Sequence, residues 1–191
     1  DNDVLKDENI RKIILIFQSI SNLADEEKLG ATLFVDFFGL SLIDVYKLFD
    51  RAKKEKAKLI NLVIETFPGF SKNLSRWASL SYSKTFLELF EIVVKESGYL
   101  KQALSADDSL SRMSTLETFF EEVRKLAGVR KEYYLKDFIE HVGRLDEHGI
   151  LTKSGKSASK KGVRLMTAHK SKGLEFDIVY IPFASEGHWS G

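Results

Sequence analysis

From Ile10 to Val142 apolar residues recur every three or four positions, in one stretch after another, each closed by glycine, proline or a polar cluster. That spacing follows the α-helical turn of about 3.6 residues and not the two-residue alternation of a strand, so this part of the chain is confined to helices packed through apolar stripes. Ile10, Ile13, Ile14, Phe17 and Ile20 form the first stripe, with Asp7 and Glu8 where a helix start favours negative charge. A second helix is expected over Asp25 to Phe37, and Gly39 interrupts it. Ser41, with Asp44 after it, forms an acidic variant of a capping box that opens a helix carrying Leu42, Val45, Leu48 and Phe49 on one face. "AKLINLVIETF", Ala57 to Phe67, predicts another helix, stopped by Pro68 and Gly69. Phe86, Leu89, Phe90 and Val93 mark a long helix that ends at Ser97 and Gly98. Leu110, Met113, Leu116, Phe119, Phe120, Val123 and Leu126 carry the longest stripe, up to Gly128, and Leu135, Phe138, Ile139 and Val142 give one more helix ahead of Gly149. Core packing accounts for these stripes better than partner-binding grooves do.

With 43% hydrophobic residues among 191, the chain can bury a substantial core. The 29 basic and 28 acidic side chains nearly cancel, so a nucleic-acid surface must come from local clustering rather than net charge. Cysteine is absent, which rules out disulfides and thiolate metal sites and fits a reducing, cytoplasmic setting. Apolar runs such as "IILIF", Ile13 to Phe17, fall far short of the roughly 20 residues that span a bilayer, and no secretory leader is visible. The first methionine is Met113, so the chain reads as an excerpt of a longer polypeptide.

Beyond the helices lies "TKSGKSASKKG", Thr152 to Gly162, with the composition of a mobile connector. Its "GKS" resembles the end of a phosphate-binding P-loop, but Gly149 is one residue too far upstream and neither an apolar strand nor an apolar helix flanks it. Lys153, Lys156, Lys160 and Lys161 suit a solvated linker better than a phosphodiester contact. A second basic cluster, "RAKKEKAK" at Arg51 to Lys58, is explained by the helix dipole, with duplex contact as the lesser reading.

At Val163 the pattern changes. Val163, Leu165 and Thr167 alternate with Arg164, Met166 and Ala168 as in a short strand, and "IVYIP" reads as a second strand covered on both faces. Such a pair needs further strands to form a stable sheet. The turn between them holds Thr167 and His169 as hydrogen-bonding groups, Lys170 and Lys172 as cations suited to phosphate, and Gly173 for close backbone approach. Glu175 would repel phosphates but can accept from a ribose hydroxyl. On these residues alone, the turn is either a nucleotide or nucleic-acid contact or a charged surface loop.

"LMTAHKSKGLEFDIVYIP" strongly resembles motif V of the UvrD/Rep family of superfamily-one DNA helicases, which includes the PcrA, RecB and AddA branches. Leu165 to Thr167, His169, and Lys172 to Phe176 match position by position, and the "HKSKGLEF" wording is somewhat closer to RecB and AddA-like members. "LFVDFFGLSLIDVYKL", "ESGYLKQAL" and "YYLKDFIEHVGRL" look like successive helices of the 2B insertion of the second motor domain. The resemblance implies a mainly α fold: a helical bundle-like 2B insertion over 1–151, a basic connector over 152–162, and the first β strand-loop-strand of a RecA-like motor domain over 163–191.

It further implies an ATP- and Mg2+-dependent motor that moves 3′ to 5′ on single-stranded DNA and opens duplex, working with RecA-like motor domains missing from this chain. By position, Gly173 and Glu175 would serve ATP, Glu175 at the ribose, while Thr167, His169, Lys170 and Lys172 would face the DNA strand. "FGLSLID" occupies the place of the family's duplex-contacting turn, which makes Gly39 and Ser41 candidate duplex contacts, although the usual "GIG" is lacking. After Pro182 the sequence departs from the family, with Phe183, Trp189 and Ser190 beside the retained Glu186 and Gly187. No P-loop, metal-binding acidic strand or arginine-rich motif VI appears, so ATP hydrolysis by this chain alone is not expected. A noncatalytic helical DNA-binding or interaction module derived from a helicase is the alternative. A stand-alone nuclease fits poorly, since no carboxylates cluster at metal-ligand spacing.

Overall fold

The computed structural model describes residues 4–128 and 132–147, with side chains described up to Leu145. All of them fall within the first of the two units into which the chain divides, Asp1–Gly155. The described residues contain nine α-helices, α1 to α9, and no strand. This is the mainly α architecture expected from the periodicity. The connector over 152–162 and the strand-loop-strand over 163–191 lie outside the described residues.

Helix α1, Glu8–Ser21, starts where the Asp7 carboxylate accepts from the amides of Asn9 and Ile10 at 2.9 and 3.1 Å, and it buries Ile10, Ile13, Ile14, Phe17 and Ile20. Asp25 caps α2, Glu26–Thr32, in the same way. This second helix is shorter than the expected run to Phe37. Val35 and Phe37 are buried while Phe34 and Asp36 face solvent, so burial alternates with period two and the chain leaves the helix for a short 3₁₀ turn, Asp36–Phe38. Ser19 and Thr32, both buried, share a 2.7 Å hydroxyl hydrogen bond that ties α1 to the end of α2.

Ser41 caps α3, Leu42–Glu55, accepting from the Asp44 amide at 3.4 Å, while the Asp44 side chain pairs with Lys47. Val45 and Leu48 are buried as expected, but Leu42 is 55% exposed. As the first helical residue its side chain leans back off the helix end, beyond the packed face. Pro68 does not end the helical region. It opens α5, Pro68–Leu80, directly after α4, Leu59–Thr66, because a first helical residue needs no amide donor. A full capping box forms at α6, Phe86–Glu96: the Glu88 carboxylate accepts from the Thr85 amide at 2.9 Å and Thr85 Oγ1 accepts from the Glu88 amide.

Gly98, at φ +91°, turns the chain from α6 into α7, Tyr99–Ser105. The long helix α8, Ser109–Gly128, buries Leu116, Phe119 and Val123. Leu110, assigned to that stripe from spacing, is 87% exposed because it sits in the first turn, ahead of the packed part. Helix α9, Leu135–Glu147, buries Leu135, Phe138 and Val142.

Two aromatic clusters hold these helices together. Phe86 stacks on Phe138 at 4.1 Å and meets Phe17 edge-on at 4.9 Å, with Phe90 and Phe119 alongside, which joins α1, α6, α8 and α9. Phe37 meets Tyr99 at 5.4 Å and Phe38 meets Phe70 at 4.8 Å, which fixes the 3₁₀ turn between α7 and α5. Each such pair contributes about 0.5–1.5 kcal/mol beyond the area it buries. At the second cluster's edge, Trp77 Nε1 donates to Glu96 at 2.8 Å, and Arg76 pairs with the same carboxylate.

Candidate nucleic-acid interface

Of the residues singled out from sequence, Gly39 and Ser41 fall on the described part of the chain, at the amino end of α3. Gly39 closes the 3₁₀ turn in the left-handed region, φ +64° and ψ +27°, with its amide donating to the Asp36 carbonyl at 3.0 Å. A side chain added there would meet nothing within 4 Å, so the backbone is open to a partner. Ser41 is exposed and its carbonyl accepts from the Val45 amide at 3.0 Å. Its hydroxyl serves Asp44, which leaves the amides of Leu42 and Ile43 without a protein acceptor among the described residues. Unpaired amides and the positive end of the helix dipole together favour an anion such as a phosphate. Asp44 opposes this, and Lys47, 3.6 Å from its carboxylate, offsets that charge.

Around this turn lies an apolar rim absent from the expectations. Phe34 stacks on Phe49 at 5.8 Å and meets Tyr46 at 5.7 Å, and Phe34, Leu42, Ile43 and Tyr46 are all exposed. The apolar run "LFVDFFGL" holds more apolar residues than one helical face can bury, and that was its legible signal.

The basic cluster at Arg51 to Lys58 is not part of the same site. Helix α3 rises about 1.5 Å per residue, which separates its two ends by roughly 20 Å. Arg51 is held at 3.1 Å by both Glu55 and Glu65, whose hydrogen bonds raise its pKa, and Lys54 binds Asp50 at 2.6 Å. Lys53 and Lys54 lie in the last turn of α3, where cations complement the dipole.

Thr167, His169, Lys170, Lys172, Gly173 and Glu175 lie outside the described residues. Among the described residues no helix is long and apolar enough to cross a membrane.

Residues 3–189 match the UvrD-like helicase C-terminal domain family. The chain belongs to that family. Among proteins similar to it is the ATP-dependent DNA helicase PcrA of Staphylococcus aureus, 27% identical over 187 residues, covering 90% of this chain and 25% of that protein. DNA helicase II of Rickettsia typhi is 29% identical over 124 residues, 64% of this chain and 18% of the relative. An ATP-dependent helicase/nuclease of Bacillus velezensis is 29% identical over 113 residues, 58% of this chain and 9% of the relative. The chain thus spans a quarter or less of the length of these relatives. The family match runs across both the helical segments and the "KGLEF" stretch, as the resemblance implied.

Proposed function

We propose that this chain is part of an ATP-dependent DNA helicase that moves 3′ to 5′ on single-stranded DNA, supplying its 2B-type helical insertion over 1–151 and its motif V within 163–191. The carrying observation is that one family match spans residues 3–189 and includes the "LMTAHKSKGLEF" run. In this role Glu175 accepts from the ATP ribose, Gly173 shapes the turn, and Thr167 and His169 contact the single strand, with Lys170 and Lys172 toward its phosphates. ATP and Mg2+ are held together with RecA-like motor domains of the intact polypeptide, and this segment alone does not hydrolyse ATP. The amino end of α3, at Gly39 and Ser41, meets the phosphodiester backbone of the duplex.

DNA-stimulated ATPase of the full-length protein tests the assignment. A hydrogen bond to an ionised acceptor is worth about 1.5–3 kcal/mol, so Glu175→Ala raises the KM for ATP by about ten- to a hundredfold. His169→Ala leaves DNA-free turnover intact and weakens its stimulation by single-stranded DNA. Wild-type behaviour in both variants refutes the site.

A further inference from the structure

The turn that presents Gly39 and Ser41 is held by side chains distant in sequence. Lys12 Nζ of α1 lies 3.1 Å from Asp36 Oδ1, and Gln102 Nε2 of α7 donates to Asp36 Oδ2 at 3.0 Å, so each carboxylate oxygen is held from a different helix. The Asp36 carbonyl in turn receives the Gly39 amide. The next residue, Phe37, lies with its carbonyl so close to Gly98 that an added side-chain carbon would stand 2.5 Å from it, and its ring rests on Tyr99. Burial alone would push the Asp36 carboxyl up, but the bonds from Gln102 and Lys12 and the charge of Lys12 outweigh it and hold the group below its ordinary range.

Global stability does not explain this arrangement. The Asp36 side chain is 50% exposed, and ion pairs so placed contribute about 0–1 kcal/mol. What the bonds do fix is a position: a short 3₁₀ turn with few backbone bonds of its own is braced from two sides, just before the amino end of α3.

We infer that Asp36, braced by Lys12 and Gln102, is a positioning residue for duplex contact, setting where Gly39 and the free amides of α3 meet a DNA phosphate. This rests on the proposed duplex role of the α3 amino end. A helix terminus binds an anion through directed amides, so loss of the brace blurs the contact without removing it.

The test uses the full-length protein, a labelled duplex with a single-stranded tail, and the single strand alone. Asp36→Ala and Gln102→Ala are expected to weaken tailed-duplex binding about three- to tenfold, the equivalent of one hydrogen bond to a charged group, with single-strand binding unchanged. Hydrogen exchange at the amides of Gly39 to Ile43 should quicken in both variants, while Tm stays within about 2 °C of wild type. Ser41→Asp is the reference arm, because aspartate keeps the helix cap yet repels phosphate. If Ser41→Asp weakens duplex binding and the Asp36 and Gln102 variants do not, the positioning role is overturned and the duplex reading stands. If none of the three weakens it, the duplex reading fails and the inference falls with it. Equal losses on duplex and single strand, with a lowered Tm, would show a purely structural role and would also overturn it.

Discussion

Replacing Gly98 with alanine tests the packing that sets the 3₁₀ turn, and its magnitude can be worked from two features of the site. Gly98 sits at φ +91°, where an L side chain costs roughly 1–2 kcal/mol. The added carbon would also lie 2.5 Å from the Phe37 carbonyl oxygen. That atom is backbone and cannot swing away, so the turn or α7 must shift, at an overpacking cost of about 1–3 kcal/mol. Alanine restricts the unfolded chain more than glycine does, which returns about 0.4–1 kcal/mol. The net loss is about 2–4 kcal/mol, or a fall in Tm of about 5–15 °C for a chain of this size. Gly39→Ala is the internal control: it shares the positive φ, at +64°, but its added carbon meets nothing within 4 Å. Its cost should be about 0.5–1.5 kcal/mol. Urea unfolding followed by helical circular dichroism measures both. If Gly98→Ala costs no more than Gly39→Ala, the carbonyl contact does not constrain the turn and the reasoning is wrong.

Two further outcomes follow from the core and from one titrating side chain. Phe86→Ala should cost about 3–5 kcal/mol by emptying the centre of the larger aromatic cluster, whereas Leu110→Ser, at an 87% exposed position, should fall within about 0.5 kcal/mol of wild type; thermal unfolding of the pair checks the corrected reading of α8. Burial, and secondarily the charge of Arg144, lowers the pKa of His141, so the folded state favours the neutral imidazole; the stability this supplies is present above the ordinary value of about 6.5 and is lost as pH falls through the lower folded value. The urea midpoint of wild type should therefore drop more than that of His141→Gln between about pH 7.5 and pH 5, and parallel curves would refute the assignment.

Much of the helical plan was legible because its signals were local. Asp7, Ser41 and the Leu135 to Val142 stripe act within a turn or two, and each stands where the spacing put it. The boundaries that differ from expectation share one cause. Pro68 and Gly98 read in the sequence as stops, yet one is also a favourable first helical residue and the other a left-handed hinge, and whether a helix resumes depends on tertiary contacts. Trp77 on Glu96 supplies such a contact for α5, as does Tyr99 on Phe37 for α7. Leu42 and Leu110 fit their stripes by spacing but sit in first turns, where periodicity carries no information about whether a neighbour reaches that far. The motif V residues were legible only by family resemblance, because a strand-turn-strand with a few cations has many uses until neighbouring strands and ligands define it.

The candidate duplex contact shows the same division at closer range. Gly39 and Ser41 are visible in sequence as a turn followed by a cap, and the structure gives them those local roles. What holds that turn comes from Lys12, Gly98, Tyr99 and Gln102, the last of them 66 residues from its partner Asp36. No window of sequence that contains Gly39 contains Gln102 as a meaningful neighbour. A helix terminus can hold its amides open to a phosphate through local chemistry alone, but directing them requires a fixed origin, and here that origin is set by α1 and α7. The local half of the site was therefore legible from one short stretch, and the half that orients it became legible only when the helices were assembled.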